Sequence, residues 1–520
     1  MNDVDRISAN GRRAVAARNW PHVSACGMEI KRRAPENPEG PFLLGMAQKA
    51  AGRAQAAADY FAAALEFDTG RYDAAIELAW QYVKLNRFAE ADELLDRYQS
   101  QLGDSPLYLD LAGQAYTRLG RYESAWPLYQ RALELQPNVE PIEVNKAVCA
   151  VYLGKTDEAR AIYRKLLKKH PAHQRFHYEL AQLGRAKDDR HVKQMLSVLR
   201  KSGPDPTRSI FLYYALGKEL EELGRWEQSF EYYEKGGTAA RSTMNYDVSS
   251  DVDTMNKIIE VCTPNWLAHR PGEGSEDRTP IFVVGLPRTG TTLTERILSS
   301  HSQVESVGET QVLHMLLRRA SGLESAAGEL TADIVAAAAT KPAQAIADDY
   351  TAELAYRFGD AEFFIDKLPE NVLNLGFIAK AWPRARMIHL RRNPMDACFA
   401  MYKQSYFRFA YSLDDLARYY LAYDRLSRHW RDVLGDRLVE VEYEKLVSDQ
   451  EVETGRILDS LGLPFEEACL HFERNAAPVA TASSVQVREK AHTRSVGKWK
   501  KFTRQLEPLR AELEAGGVVL

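Results

Sequence analysis

The stretch Gly285-Leu286-Pro287-Arg288-Thr289-Gly290-Thr291-Thr292 holds the residues whose types and spacing most directly imply chemistry. Two glycines flank four residues between a short apolar run, IFVVG (281–285), and a segment of helical spacing, LTERILSSH (293–301). That is the spacing of a phosphate-binding loop. Glycines let backbone N–H groups converge on an oxyanion, and a helix N-terminus adds partial positive charge. The hydroxyls of Thr291 and Thr292 can donate as well. Nucleotide triphosphatases place a lysine after the second glycine to reach the β and γ phosphates; here that position is Thr291, and Arg288 is the loop's single cation. The loop is therefore expected to hold a dianionic phosphate end. A kinase or nucleotidase would require ATP with magnesium, and the missing lysine speaks against it.

These residues need a sheet to carry them. IFVVG ends in Gly and reads as a buried parallel strand. EFFID (362–366), RMIHL (386–390) and LVEVEY (438–443) are further strand candidates separated by helical stretches, so a parallel α/β sheet is expected. The aromatic-rich stretch 401–432 has helical spacing and is expected to pack on that sheet.

The segment IFVVGLPRTGTTLTERIL resembles the 5′-phosphosulfate loop of sulfotransferases that use 3′-phosphoadenylyl sulfate (PAPS), and its Arg-x-Gly-Thr-Thr form is most similar to the tyrosylprotein sulfotransferases and their bacterial relatives. The resemblance covers about residues 275–505 and implies that Arg288, Thr289, Gly290, Thr291 and Thr292 bind the donor's 5′ end. HLRRNPMD (389–396) resembles the 3′-phosphate segment, which makes Arg392 the phosphate-gripping guanidinium. The family's serine eight residues later is Ala400 here, so part of that grip is absent or moved to Ser405 or Lys403. SVGETQ (306–311) places Glu309 at the family's catalytic glutamate, 21 residues beyond Arg288, where a carboxylate can take the acceptor's proton. His301, the residue type used by small-molecule sulfotransferases, is the rival base, and a charge at a helix start is the other role open to Glu309. IDKLPEN (365–371) puts Lys367 at a strand end, where an ammonium can stabilise the leaving phosphate. TASSVQVREKAHTRSVGKWK (481–500) resembles the loop that folds over the nucleotide. It implies Ser483 as the hydroxyl at the transferring group, Ser484 as its close alternative, and Arg488, Lys498 and Trp499 near the adenosine phosphate. Tyr443 matches the family's Tyr-Glu-x-Leu tyrosine.

The first half of the chain repeats with a period of 34 residues. Gly45, Ala79, Gly113 and Ala147 form one register; Ala57, Ala91, Ala125 and Ala159 a second; Phe61, Leu95, Tyr129 and Tyr163 a third. Gly52, Asn86, Gly120 and Gly154 mark turns. Two helices per unit explain the pattern: small residues allow close approach, the large residue four positions after each Ala fills the space beside them, and Gly or Asn ends the first helix. The pattern resembles the tetratricopeptide repeat over 38–171. Residues 172–205 lose the register, and 208–238 regain it with Gly217, Gly224 and Tyr233.

The expected architecture is an N-terminal all-α tetratricopeptide-like superhelix (1–240), a polar linker (241–275) and an α/β P-loop-like parallel-sheet sulfotransferase domain (276–520). Of 520 residues, 45% are hydrophobic and 27% charged, a globular composition rather than a disordered one. The net charge of −4 argues against bulk binding to nucleic acid. No apolar run approaches the roughly 18 residues of a spanning helix. The first twenty residues lack an apolar segment, and the five cysteines lie far apart without a CxxC pair, so a cytoplasmic protein without membrane, zinc or disulfide framework is expected. The expected function is transfer of a sulfuryl group from PAPS to a hydroxyl, foremost a tyrosyl residue of a protein or peptide brought in by the repeats, with release of adenosine 3′,5′-bisphosphate and no metal. A small alcohol, phenol or sugar as acceptor, an inactive repeat scaffold, and a homodimer formed through the repeats are the alternatives.

Overall fold

The computed structural model describes residues 3–268, 278–323 and 329–520. It divides into two compact units, 1–153 with 352–356, and 154–351 with 357–520.

The first unit is a series of helices from Asp3–Ala16 to Glu140–Tyr152. The periodic residues explain their packing. Ala57, Ala91 and Ala125 are fully buried. A Cβ at Gly45 would lie 2.6 Å from the Phe61 ring, and one at Gly113 would lie 2.7 Å from the Tyr129 ring. Each aromatic thus occupies the space that the small residue leaves open. Asn86 takes a left-handed turn conformation (φ 57°) equivalent to that of Gly52 and Gly120.

The second unit combines further helical hairpins with a five-stranded, wholly parallel sheet. Its strands are β1 (Thr279–Gly285), β2 (Val304–Gly308), β3 (Phe363–Lys367), β4 (Arg386–Arg391) and β5 (Leu438–Glu442), in the order β2-β3-β1-β4-β5. β1 is buried along its whole length, as its unbroken apolar run requires. The chain reverses direction across the sheet at β1, so the crevice beyond the carboxyl ends of β1, β3 and β4 is the place where such folds bind ligands. Helix Leu413–Leu434 covers one face, with Trp430 donating to Val372 O at 2.8 Å and the Tyr423 hydroxyl 2.7 Å from His389 on β4.

The repeat hairpins of this unit pack on the sheet domain. Gly217 lies under Tyr233 as Gly113 lies under Tyr129, with a would-be Cβ 2.6 Å from the ring. Helix Trp226–Ser242 then presents Trp226, Phe230 and Tyr233 to Phe399, Tyr402 and Phe502, with ring centroids 5.6–6.4 Å apart. Arg241 pairs with Asp415 at 2.9 Å. Within the stretch expected to be a linker, Val248–Val261 and Pro264–Ala268 are helical, and the former is tied to Leu413–Leu434 through Ser249–Arg418 at 2.8 Å. Residues 269–275 of that stretch lie outside the described residues.

Candidate functional site

β1 ends at Gly285, the chain passes through Arg288 and Gly290 in left-handed conformations (φ 68° and 105°), and helix Thr291–Leu298 begins. The loop is closely surrounded. A Cβ on Gly285 would lie 2.6 Å from Leu390 O, and one on Gly290 would lie 2.6 Å from the Tyr443 ring. No side chain caps the helix, so its first-turn amides are left for a ligand. Thr289 spends its hydroxyl on Leu286 O at 2.6 Å. Thr291 is buried, and Thr292 reaches Thr481 at 3.3 Å.

Two partners arrive from far along the chain. Arg288 donates to the Ser483 hydroxyl and, at 2.9 Å, to Gln486 Oε1. Arg392, just past the end of β4, donates to Arg288 O at 2.8 Å and Ser495 O at 2.6 Å. Its guanidinium stacks 4.7 Å from the Tyr443 ring, and its Nε is buried without a partner among the described residues. Arg288, Ser483, Arg392 and Tyr443 therefore form one group around the loop. Ser484 is buried next to Ser483, its amide closing a turn on Thr481 O at 3.0 Å. Asp396 accepts from the amides of Gly497 (2.5 Å) and Trp499 (3.1 Å), which fixes the 497–499 segment to helix Pro394–Tyr402. Lys498 pairs with Glu221. Arg488 turns elsewhere: its guanidinium covers Gly154, where a Cβ would collide with it, and its charge, after burial, helps lower Arg296 to about 10.

Lys367, the last residue of β3, is fully buried. Its Nζ donates to Glu309 and lies 3.4 Å from Glu295. Burial alone would lower its pKa, but the two carboxylates outweigh burial and raise it, so the ammonium stays charged. Burial raises the Glu309 carboxyl above its ordinary range, against the pull of Lys367. Glu295 is held in turn by Ser306 at 2.7 Å. Beside Lys367, the fully buried Asp366 accepts from Tyr350 (2.5 Å), Thr310 (3.1 Å) and Asn371 (3.0 Å). Burial pushes it up to about 7. The Thr310 bond anchors the turn carrying Glu309 to β3. β3 pairs with β1 so that Lys367 stands opposite Val283, two residues before Gly285, which sets the Lys367–Glu309 pair beside the phosphate loop. Glu295 and Tyr350 escape motif reading, and Asp366 lies in IDKLPEN without a role read for it there. The available signal for Asp366 was an acidic residue inside an otherwise apolar strand.

His301 is spent on structure. It is buried, Nε2 meets Pro464 O at 3.0 Å, and Nδ1 accepts from Gln303 N at 3.1 Å at the opposite end of β2 from Gly308. Ala400 lies on helix Pro394–Tyr402; the nearby Lys403 donates to Glu221 at 3.0 Å, and Ser405 to the Tyr178 hydroxyl at 3.2 Å. Among the described residues no group of three His, Cys, Asp or Glu is arranged to hold a metal, and no helix is long and apolar enough to cross a membrane.

Comparison with known proteins matches residues 280–467 to the sulfotransferase family and residues 49–115 and 116–183 to the tetratricopeptide repeat. An uncharacterized protein of Aquifex aeolicus (strain VF5) is 28% identical over 378 residues, 70% of this chain and 49% of that protein. The protein-tyrosine sulfotransferase of Drosophila melanogaster is 25% identical over 42% of this chain and 46% of its own length, and protein-tyrosine sulfotransferase 1 of Danio rerio is 24% identical over 43% and 66%. The chain thus spans about half the length of the first two curated relatives. Among solved structures, the sulfotransferase domain of the Synechococcus PCC 7002 olefin synthase aligns with 48% of this chain and 99% of its own, at 21% identity and a TM-score of 0.34.

Proposed function

For a chain that joins tetratricopeptide repeats to a sulfotransferase-family domain, we propose transfer of the sulfuryl group of PAPS to a hydroxyl acceptor, a tyrosyl residue of a protein or peptide, with release of adenosine 3′,5′-bisphosphate. The observation that carries this reading is the Lys367–Glu309 pair at the carboxyl end of β3, next to β1 and the phosphate loop that follows it, whose Arg288 meets Ser483.

The residues fit such a donor. The cradle is closed to any Cβ at 285 and 290, the helix amides are uncapped, and Arg392 keeps a buried Nε in reserve. When bound, the donor supplies an activated sulfuryl group on a phosphate leaving group. Arg288, the 289–292 amides and the hydroxyls of Thr291 and Thr292 would hold its 5′ end. Arg392, backed by Tyr443, would hold its 3′ end, with Trp499 beside the adenosine. Glu309 takes the acceptor proton, and its raised pKa brings it closer to that of a phenol, which is about 10 unperturbed. Lys367 brings a full positive charge to the place where negative charge develops, and Ser483, positioned by Arg288, donates there too. Glu295 and Asp366 position these groups and do not touch the reacting atoms.

The tyrosyl acceptor is supported by the relatives named protein-tyrosine sulfotransferase, and recruitment of a chain-like acceptor by the repeats present here. The five cysteines are buried and outside any disulfide, which suits the reducing cytoplasm. Thermal-shift titration tests the donor assignment: adenosine 3′,5′-bisphosphate should raise the melting temperature and ATP–magnesium should not. The reverse result would favour a kinase or nucleotidase.

A further inference from the structure

Glu295 sits where the helix of the phosphate loop meets the Lys367–Glu309 pair. It lies on helix Thr291–Leu298, four residues after Thr291 and so about one turn along the same face. Its two carboxylate oxygens have different partners. Oε1 accepts from the Ser306 hydroxyl on β2 at 2.7 Å, and Oε2 lies 3.4 Å from Lys367 Nζ at the end of β3. The Ser306 hydroxyl in turn accepts from Gly308 N at 3.0 Å, one residue before Glu309. Lys367 closes the ring by donating to Glu309. Helix, β2 and β3 are thus joined through one carboxylate.

The ring holds two carboxylates and one ammonium, and the carboxylates differ in access. The Glu309 side chain keeps 33% of its surface exposed, that of Glu295 keeps 10%, and that of Lys367 none. Glu309 can therefore meet an acceptor, whereas Glu295 is enclosed by protein. A single carboxylate against a buried ammonium would be a poor base, because taking up a proton would leave the ammonium buried without a counter-charge. A second carboxylate removes that obstacle.

We propose that Glu295 is the standing counter-ion of Lys367, a positioning residue that leaves Glu309 free to take the acceptor proton and Lys367 free to meet the leaving phosphate oxygen. The inference rests on the sulfuryl-transfer reading above. In that step the acceptor O–H bond breaks and its proton moves to Glu309. The new S–O bond forms as the bond from sulfur to the phosphate oxygen breaks, and that electron pair stays on the phosphate. Glu309 ends neutral. Lys367 still has Glu295 at 3.4 Å, so the ammonium keeps a counter-charge throughout. Because Glu295 belongs to the helix that starts at Thr291 and Thr292, one element presents amides to the donor and also fixes the lysine.

The ring has a pH signature. Burial raises the Glu309 carboxyl, Lys367 opposes the rise, and Glu295 adds to it. Burial alone would lower Lys367, and Glu295 together with Glu309 raises it. One carboxylate therefore moves both groups in the same direction. The other titratable groups facing the pair are Asp366 beside Lys367 on β3, Glu370 on the turn Pro369–Asn374 and the Tyr406 phenol. Asp366 is tied to Tyr350, Thr310 and Asn371 rather than to Glu295. Without the Glu295 charge, Glu309 and Lys367 would each release a proton at lower pH.

The test is the pH–rate profile of the full-length protein with PAPS and a phenolic acceptor in single turnover. The acid limb reports Glu309 and the alkaline limb Lys367. Glu295→Gln should move both limbs to lower pH by about one pH unit, the effect of one close charge, while calorimetry shows adenosine 3′,5′-bisphosphate binding that is not weakened. Ser306 is exposed, so Ser306→Ala spares the fold and decides the matter where Glu295→Gln impairs folding. It frees Oε1, loosens the hold of Glu295 on Lys367, and should move the limbs the same way by less. A Glu295 that merely packs would lower the melting temperature and the rate and leave both limbs in place; that result would overturn the inference and leave the transfer reading standing. Disappearance of the acid limb in Glu295→Gln would make Glu295 the base and overturn it too. A wild type that transfers no sulfuryl group at any pH would overturn the transfer reading and this inference together.

Discussion

Replacing Glu309 by Gln should abolish transfer and spare nucleotide binding. In the wild type, two carboxylates, Glu309 and Glu295, face the single buried ammonium of Lys367. The substitution would remove one negative charge and keep the shape, and Lys367 would retain Glu295 at 3.4 Å. The ammonium is thus still paired, so the melting temperature should change little. Removing a positioned acid or base costs about 10²–10⁴ in rate, or about 2.7–5.5 kcal/mol of barrier at roughly 1.36 kcal/mol per decade. Affinity for adenosine 3′,5′-bisphosphate should be equal or slightly higher, since the site loses a negative charge. Single-turnover kinetics with PAPS and a phenolic acceptor measure the step. In the wild type, the rate should fall toward acid as Glu309 protonates, with the limb lying above the ordinary carboxylate range because burial raises its pKa. In the variant that limb should vanish. Wild-type turnover, or an unchanged acid limb, would refute Glu309 as the base.

Asp366→Asn should flatten part of the pH dependence of stability. The folded pKa of about 7 lies above the unfolded value, so the protonated form favours folding and this contribution is lost as pH rises from about 4 to 7; melting curves across that range should show a smaller fall in the variant. Arg392→Ala should weaken adenosine 3′,5′-bisphosphate by roughly one to two decades, the loss of a charge-assisted phosphate contact, and hardly affect adenosine 5′-monophosphate in the same calorimeter. Truncation before Gly154 should leave a soluble protein that binds the bisphosphate. Truncation before residue 241 should aggregate, because it uncovers Phe399, Tyr402 and Phe502; size-exclusion chromatography distinguishes the two outcomes.

Much of the fold was legible because burial leaves periodic marks. The unbroken apolar run at 281–285 announced β1, RMIHL (386–390) announced β4, and the small and aromatic registers announced contacts that the structure shows at Gly45–Phe61 and Gly113–Tyr129. β2 was not legible as a strand. It pairs with β3 alone, buries Val304 and Val307 at a spacing of three rather than two, and carries an irregularity at Ser306–Gly308, so VESVG looks like a turn. A periodic pattern also says which positions are buried and not against what. Tyr233 obeys the repeat register yet also faces Phe399, and its hairpin belongs to the same compact unit as the sheet. At the site, Arg288 and Ser483 are 195 residues apart, and no local spacing could join them; family resemblance alone suggested it. Glu221 could not be foreseen, since a glutamate near the end of a repeat helix looks like solvated charge until Lys403 and Lys498 are seen upon it.

The central claim is sulfuryl transfer at the Lys367–Glu309 edge of the phosphate loop. Its most direct measurement supplies sulfur-labelled PAPS to the full-length protein with a tyrosine-containing peptide, and follows label on the phenolic oxygen and adenosine 3′,5′-bisphosphate together. The expected result is one bisphosphate released per sulfate ester formed, with the Glu309→Gln protein slower by about 10² or more. Donor binding without label reaching any hydroxyl, or label transferred equally fast by the Gln variant, would contradict it.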